Sequence, residues 1–169
     1  MKKKAKLEKW REFGFKKKPS GWLGRGGSGA NKERPGIKAR DGRHYWLTPP
    51  ELMKQLKKEF KFTFDACPYP RPKKFCGLEK DWGKSTYVNP PFYGPTAWAR
   101  KAIHEHKKGK TVVMVFPTDK WIHYLINAGA ELRSLGDVKW CAIEDGKPGK
   151  GIGRYTMAFI LRGKKRKKI

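Results

Sequence analysis

The chain has 169 residues and a mass of 19.5 kDa, a length that suits one folded domain with a substantial core. Its 41 Lys and Arg residues outnumber 15 Asp and Glu residues; the formal net charge of +26 favours a polyanionic partner such as nucleic acid. No stretch approaches the roughly 20 apolar residues of a membrane-spanning helix, and the basic N-terminus lacks a signal-peptide core, so we expect no membrane association and a cytoplasmic protein.

The excess positive charge is concentrated at both ends of the chain. Residues 1–44 carry a net charge of +11, residues 45–161 carry +9 and residues 162–169 carry +6. The first segment interleaves aromatic residues and a Gly-rich run with its lysines, and this composition buries too little apolar surface to fold alone. We expect a flexible basic arm at 1–44, a folded domain at 45–161 and a basic tail at 162–169. Such ends suit sequence-independent binding of phosphate backbones, or alternatively a solubilising or localisation role.

The cysteines and histidines predict neither a disulfide framework nor a metal site. Cys67, Cys76 and Cys141 cannot all pair, and their spacing lacks the CxxC pattern of structural zinc sites. The four histidines are scattered along the chain. We therefore expect no bound metal.

The first predicted element of the folded domain is a helix that begins at Thr48. Thr48 suits the N-cap, Pro49 suits the first helical position, and Glu51 completes a capping box. The alternating aromatic residues at 60–65 then predict a strand that ends in Asp65. An acid at the carboxyl end of a strand is a position that α/β folds use for ligands.

The middle of the domain continues to alternate between strand and helix patterns. A short strand ends at Asn89, where two prolines stop it. A helix is predicted at 96–108. The most apolar run of the chain, at 110–116, predicts a central buried strand.

The last predicted elements are a helix and a strand pair. Thr118 or Asp119 caps the helix, and Gly129 ends it. Two strands follow at 137–143 and 154–161, and we expect them to form an antiparallel hairpin. The whole pattern predicts an open α/β fold with a mostly parallel sheet and an antiparallel C-terminal hairpin.

One short motif carries specific chemistry, and it consists of Asn89, Pro90, Pro91 and Phe92. An exocyclic amine on a ring is a poor nucleophile because its lone pair is delocalised. The Asn89 side-chain oxygen and the Pro90 carbonyl can accept its two N–H bonds and draw it toward tetrahedral geometry. The prolines hold both acceptors rigidly, and Phe92 or Tyr93 can stack on a base turned out of its helix. A simple turn after a strand is the alternative interpretation.

In chain order, the motifs of this sequence resemble those of the phage-encoded DNA N6-adenine methyltransferase (Dam-like) family. The matching elements are Trp-x-Thr-Pro at 46–49, a strand ending in an acid at 64–67, Gly-Leu-x-x-x-Trp at 77–82 and Asn-Pro-Pro-aromatic at 89–92. Two later elements are similar as well, namely Trp-x-x-Lys-Ala at 98–102 and Thr-Asp-x-x-Trp at 118–121. The resemblance spans residues 44–161.

The resemblance implies a compact Rossmann-like methyltransferase sheet, S-adenosylmethionine as methyl donor, DNA as partner and, for a phage protein, a location in the host cytoplasm. It implies cofactor contacts at Trp46, Thr48, Pro49, Asp65 and Asn89. It implies a catalytic loop made of Asn89, Pro90, Pro91 and Phe92. It implies substrate contacts at Phe92, Tyr93, Lys101 and Asp119.

The sequence also departs from the family pattern. About twenty residues separate Asp65 from Asn89, too few for the two strand–helix units that a full methyltransferase sheet places there. We therefore expect a trimmed sheet in which only Glu79 and Asp81 are candidates for holding ribose hydroxyls. Base recognition is left to the arm, the loop at 144–153 or the second subunit of a homodimer. The alternatives are RNA adenine methylation, protein glutamine methylation and a non-catalytic nucleic-acid-binding protein on the same fold.

Overall fold

The computed structural model describes residues 46–73, 75–91, 94–143, 145–149 and 154–163. These residues form, in chain order, α1 (Pro50–Phe60), β1 (Phe64–Asp65), β2 (Ser85–Val88), α2 (Pro95–Lys107), β3 (Thr111–Pro117), α3 (Ile122–Asn127), β4 (Glu131–Gly136) and β5 (Thr156–Leu161). The predicted arm at 1–44 and the tail beyond residue 163 lie outside the described residues. None of the described helices has the length and apolar character that a bilayer span requires.

The five strands form one mixed sheet in the order β1-β2-β3-β5-β4. β1, β2 and β3 are parallel, whereas β5 runs antiparallel to both of its neighbours, β3 and β4. The α/β class is therefore confirmed. The sheet is mixed: four of its five strands run in one direction, and β5, inserted between β3 and β4, is antiparallel to both, so two of the four strand pairings are antiparallel.

The strand predicted at 137–143 is wrong, although an antiparallel strand pair does end the sheet. The strand that precedes β5 is β4, an edge strand whose exposed residues give no apolar pattern. Val138 and Trp140 are buried, but they pack over the face of the sheet that α1 also covers. Cys141 makes only isolated bridges to Leu47 and Pro148. The apolar residues at 137–143 are therefore buried against a face of the sheet, although they form none of its strands.

The prediction of a central buried strand is confirmed by β3, which pairs with β2 on one side and β5 on the other. Apolar residues cover both faces of the sheet. On one face α2 and α3 contribute Trp98 and Leu125 to a large core. On the other face α1 contributes Leu56 and Phe60. Burial on both faces explains why the sequence of β3 is almost continuously apolar.

The capping box predicted for α1 is wrong. Pro49 occupies the N-cap, no side chain caps the helix, and the Thr48 hydroxyl is hydrogen-bonded to Tyr87 instead. The predicted strand at 60–65 is shortened to β1, because α1 continues through Phe60 and ends in the left-handed conformation of Lys61, with φ of 47°. Phe60 and Lys61 therefore form the C-terminal end of α1 and not the start of a strand.

The N-cap predicted for α3, Thr118 or Asp119, is also wrong. The N-cap is Trp121, which provides no side-chain cap, and the Asp119 carboxylate accepts a hydrogen bond from the backbone N–H of Lys120 at 2.6 Å. The helix does stop before Gly129, which has a φ of +81°. A glycine adopts this left-handed conformation without strain.

Candidate active site

The carboxyl ends of β1, β2 and β3 lie at one edge of the sheet, because these strands are parallel. Asp65 ends β1 in register with Tyr87 of β2, and the backbone N–H of Ala66 donates to the Tyr87 carbonyl at 2.9 Å. Asn89 follows the last residue of β2. The structure therefore brings Asp65 and Asn89 to neighbouring strand ends, the edge at which open α/β sheets bind ligands.

The side-chain amide of Asn89 has a defined orientation. Its Nδ2 lies 2.6 Å from the backbone oxygen of Trp46 and 3.4 Å from the hydroxyl oxygen of Thr48. A backbone carbonyl only accepts hydrogen bonds, so the amide nitrogen faces Trp46 and the amide oxygen faces away from it. Within the described part of the chain, no group donates to this oxygen. Asn89 is half-buried, and the Pro90 that follows it is buried.

Thr48 and Tyr87 continue the network behind Asn89. The two hydroxyl groups are hydrogen-bonded to each other, and the Tyr87 side chain is buried. Burial raises the pKa of Tyr87 well above its ordinary value; the Thr48 hydrogen bond opposes this change, and the nearby charge of Asp65 adds to it. The phenol is therefore neutral at physiological pH and keeps its proton. Tyr87 is not among the site residues predicted from the sequence, where its only signal is a hydroxyl-bearing residue on a buried strand.

Asp65 presents a fixed carboxylate at the end of β1. One of its oxygens accepts a hydrogen bond from the backbone N–H of Cys67 at 2.8 Å, an Asx turn. The Asp65 side chain keeps contact with solvent. Desolvation by the surrounding protein nevertheless raises the pKa of this carboxyl, whereas the Cys67 hydrogen bond and the charge of Lys57 act to lower it. No group among the described residues donates to the other oxygen. A cationic ligand group at this oxygen would offset the desolvation.

Gly77 sets the position of the β1 strand end. A Cβ at this residue would lie 1.9 Å from the backbone oxygen of Ala66, so only glycine fits. The carbonyl of Gly77 accepts a hydrogen bond of 2.7 Å from the indole of Trp82, which stacks on Trp98 in the core. The Gly-Leu-x-x-x-Trp element therefore packs against Ala66, the residue after Asp65, and fixes its position.

The segment at 46–49 is held against the chain that follows β4. Leu47 and Cys141 exchange two backbone hydrogen bonds of 2.9 Å. Gly149, in the described part of the predicted 144–153 loop, donates to the Trp140 carbonyl at 2.8 Å and lies beside the ring of Trp46. This loop therefore borders the strand-end site, where Trp46 is 36% exposed.

Lys101 is not brought to the strand-end site. Its side chain is 0% exposed on α2, and its Nζ lies 2.6 Å from the Glu105 carboxylate and 5.7 Å from the ring centroid of Trp82. Lys110 also bonds this carboxylate, and Lys108 lies 3.3 Å from it. Burial alone would raise the pKa of Glu105, but the lysine hydrogen bonds and charges outweigh it and lower the pKa to about 2. Lys101 is thus part of a buried ion cluster.

The other predicted site residues are distributed as follows. Asp119 lies two residues beyond β3, at the same sheet edge as Asn89, with Arg154 at 3.9 Å. Asp81 is wrong as a ribose candidate, because it lies 4.0 Å from Lys108 at the opposite edge, where β3 begins. Phe92 and Tyr93 lie outside the described residues.

Cys67, Cys76 and Cys141 form no disulfide bonds. The described ranges contain no group of three or more His, Cys, Asp or Glu side chains placed to hold a metal ion.

Comparison with known protein families identifies the chain. Residues 37–169 match the family model described as DNA N-6-adenine-methyltransferase (Dam). The chain belongs to the Dam family. The predicted resemblance is confirmed, and adenine DNA methylation is the activity that this family membership indicates. No curated protein and no solved structure matches the chain.

Proposed function

We propose that this Dam family member transfers a methyl group from S-adenosylmethionine to the N6 amine of adenine in DNA. The observation that carries the proposal is the orientation of Asn89. Its amide nitrogen is anchored on the Trp46 carbonyl, and its oxygen has no donor among the described residues. An acceptor held in this way at a strand end suits an exocyclic amine that carries two N–H groups.

The donor set at the strand ends fits S-adenosylmethionine. Asp65 offers a carboxylate oxygen for the ammonium group of the cofactor, and its desolvation favours a cationic ligand. Trp46 offers a partly exposed indole for an aromatic ring. The parallel arrangement of β1, β2 and β3 supports a trimmed Rossmann-like sheet with its ligands at the carboxyl edge.

The charge of the chain supports a nucleic-acid substrate. The outer face of α1 carries exposed lysines at positions i, i+3 and i+4, and an exposed lysine follows as the C-cap; they are Lys54, Lys57, Lys58 and, at the C-cap, Lys61, and none has an ion pair among the described residues. Such a basic stripe suits phosphate contacts and predicts salt-dependent binding. The target adenine lies inside the duplex, so we propose that it is flipped out and that Phe92 or Tyr93 stacks on it.

The chemistry requires a nucleophilic nitrogen and a positioned acceptor. When bound, S-adenosylmethionine would supply a methyl group on a positively charged sulfur, which is a good leaving group because it can depart as a neutral thioether. The Asn89 oxygen and the Pro90 carbonyl accept hydrogen bonds from the two N–H groups of the adenine amine, so its nitrogen becomes more tetrahedral and its lone pair projects out of the ring plane. As the new N–C bond forms, one of these protons is released to water. The buried Pro90 keeps the two acceptors at a fixed separation.

The test is methyl transfer from radiolabelled S-adenosylmethionine to separate DNA, RNA and glutamine-peptide acceptors. Digestion of the DNA should yield labelled N6-methyladenine. Label in RNA adenine or in glutamine would contradict the choice of substrate. Salt-sensitive DNA binding without transfer to any acceptor would contradict the enzymatic proposal and favour the non-catalytic binding protein.

The role of Asn89 is tested by Asn89→Ala. Losing one positioned polar group of this kind lowers turnover by about a hundredfold or more, and DNA affinity should stay within about threefold because phosphate contacts dominate it. Asn127→Ala, at the end of α3, is the matched control and should keep full activity. Unchanged methyl transfer by Asn89→Ala would refute the assignment.

A further inference from the structure

The hydroxyl of Tyr87 lies behind the proposed acceptor and has no assigned role. It is buried on β2, two residues before Asn89, and it is hydrogen-bonded to the Thr48 hydroxyl. Thr48 in turn lies 3.4 Å from the Asn89 amide nitrogen. Three polar side chains from two separate chain segments thus form one continuous network.

The direction of these hydrogen bonds follows from the proton inventory. Asn89 Nδ2 can only donate, so Thr48 Oγ1 is its acceptor. The Tyr87 hydroxyl keeps its proton and has no other acceptor among the described residues, so it donates to Thr48 Oγ1 as well. Oγ1 therefore accepts twice, which fills both of its lone pairs. Its own proton is directed away from this network and is available to an acceptor on a ligand.

The network has a geometric consequence for Asn89. A single anchor at the Trp46 carbonyl would let the amide rotate about that hydrogen bond. The second anchor at Thr48 fixes the amide plane, and Tyr87 fixes the hydroxyl that provides it. The Thr48 hydroxyl is available for this role because it does not cap α1.

We propose that Tyr87 is a positioning residue that, through Thr48, holds the Asn89 amide with its oxygen toward the substrate amine. The proposal rests on the proposed function, since it concerns the same acceptor. Tyr87 is 3% exposed and reaches Asn89 through Thr48. Its effect is on the rate of methyl transfer.

The experiment measures single-turnover methyl transfer on DNA by Tyr87→Phe and Thr48→Val. Each change removes a hydroxyl and conserves shape, so each should lower the transfer rate about tenfold, the effect of losing one positioning hydrogen bond. The KM for DNA should stay within about twofold. Because both hydroxyls act through one path, the double variant should be no slower than the slower single variant within about threefold. Thr48→Ser keeps the hydroxyl and should restore at least half of the wild-type rate.

Two controls separate positioning from general loss of stability. Thr86→Val removes a buried hydroxyl that bonds the Gly83 carbonyl at 3.2 Å, and Tyr124→Phe removes a phenol that bonds Arg100 at 3.2 Å. Both should keep the wild-type transfer rate. If Tyr87→Phe transfers methyl groups as fast as wild type, the positioning role is refuted while the proposed function stands. If the wild-type protein transfers no methyl group, the proposed function fails first.

Discussion

The buried cluster of Lys101 and Glu105 gives a sharp test of whether Lys101 stabilises the fold or contacts the substrate. Both side chains are 0% exposed and their charged atoms are 2.6 Å apart. Breaking a buried ion pair by removing one partner destabilises a protein by about 3–5 kcal/mol. Glu105→Gln leaves the Lys101 ammonium in the core without its anion, so we expect a loss in this range.

Lys101→Met should destabilise the protein less. Glu105 keeps its hydrogen bond from Lys110, whose side chain is 21% exposed, and the nearby charge of Lys108. The loss is then about 1.5–3 kcal/mol, the usual contribution of one hydrogen bond to a charged group. In the double variant Lys101→Met with Glu105→Met, the two outer lysines reach solvent and the core gains apolar volume. We expect the double variant to be more stable than the sum of the single losses predicts, by at least about 1 kcal/mol.

The measurements are urea unfolding at pH 7 and DNA methylation per folded molecule. Both single variants should shift the unfolding midpoint, whereas methylation and DNA affinity should stay within about twofold of wild type when the protein is folded. The matched control is Lys107→Met, an exposed lysine on the same helix, which should change neither property. If Lys101→Met keeps its stability within about 0.5 kcal/mol and loses DNA binding, the buried position of Lys101 is refuted and the substrate role is restored.

Three further predictions concern pH, the cofactor and the strand end. Because folding lowers the pKa of Glu105 from 4.5 to about 2, the ionised carboxylate stabilises the fold at pH values above 4.5, and this stabilisation is lost as the pH falls from 4.5 to about 2. In acid titrations Glu105→Gln should therefore flatten the curve of stability against pH in this range. Asp65→Asn should raise Tm, because it removes a carboxylate whose ionised form is disfavoured by desolvation. The same change should weaken S-adenosylmethionine binding, measured by calorimetry, about tenfold or more. A lower Tm with unchanged affinity would contradict both roles. Gly77→Ala should lose about 2 kcal/mol or more in urea unfolding and slow methyl transfer, because its Cβ overlaps the Ala66 carbonyl; the control Gly149→Ala, whose Cβ has 3.3 Å to its nearest neighbour, should be far milder.

The site was predictable in part because its residues follow strands. The prolines after Asn89 end a strand wherever that strand lies, and an acid after an alternating run, as at Asp65, marks a strand end. Parallel strands bring such ends to one edge, so two residues distant in sequence could be expected together. The motif alone fits a simple turn at Asn89 equally well.

The order of the strands was not predictable from local patterns. β4 is an exposed edge strand with few apolar residues, whereas the buried run around Trp140 has a strand-like sequence but packs over the sheet. Apolar periodicity reports burial, and burial arises both inside a sheet and on top of it. The insertion of β5 between β3 and β4 is a long-range pairing that no local signal encodes.

By itself the sequence determined the α/β class, the family, the central strand β3 and the strand-end motif at Asn89, because these depend on local chemistry and on the order of motifs. Only the tertiary structure decided what the individual polar groups do. It buried Lys101 against Glu105, and it turned the Thr48 hydroxyl from a helix cap toward Tyr87. The physical reason is that a hydrogen-bonding group takes the partner that folding brings within about 3 Å, and for these side chains that partner depends on how the helices pack on the sheet.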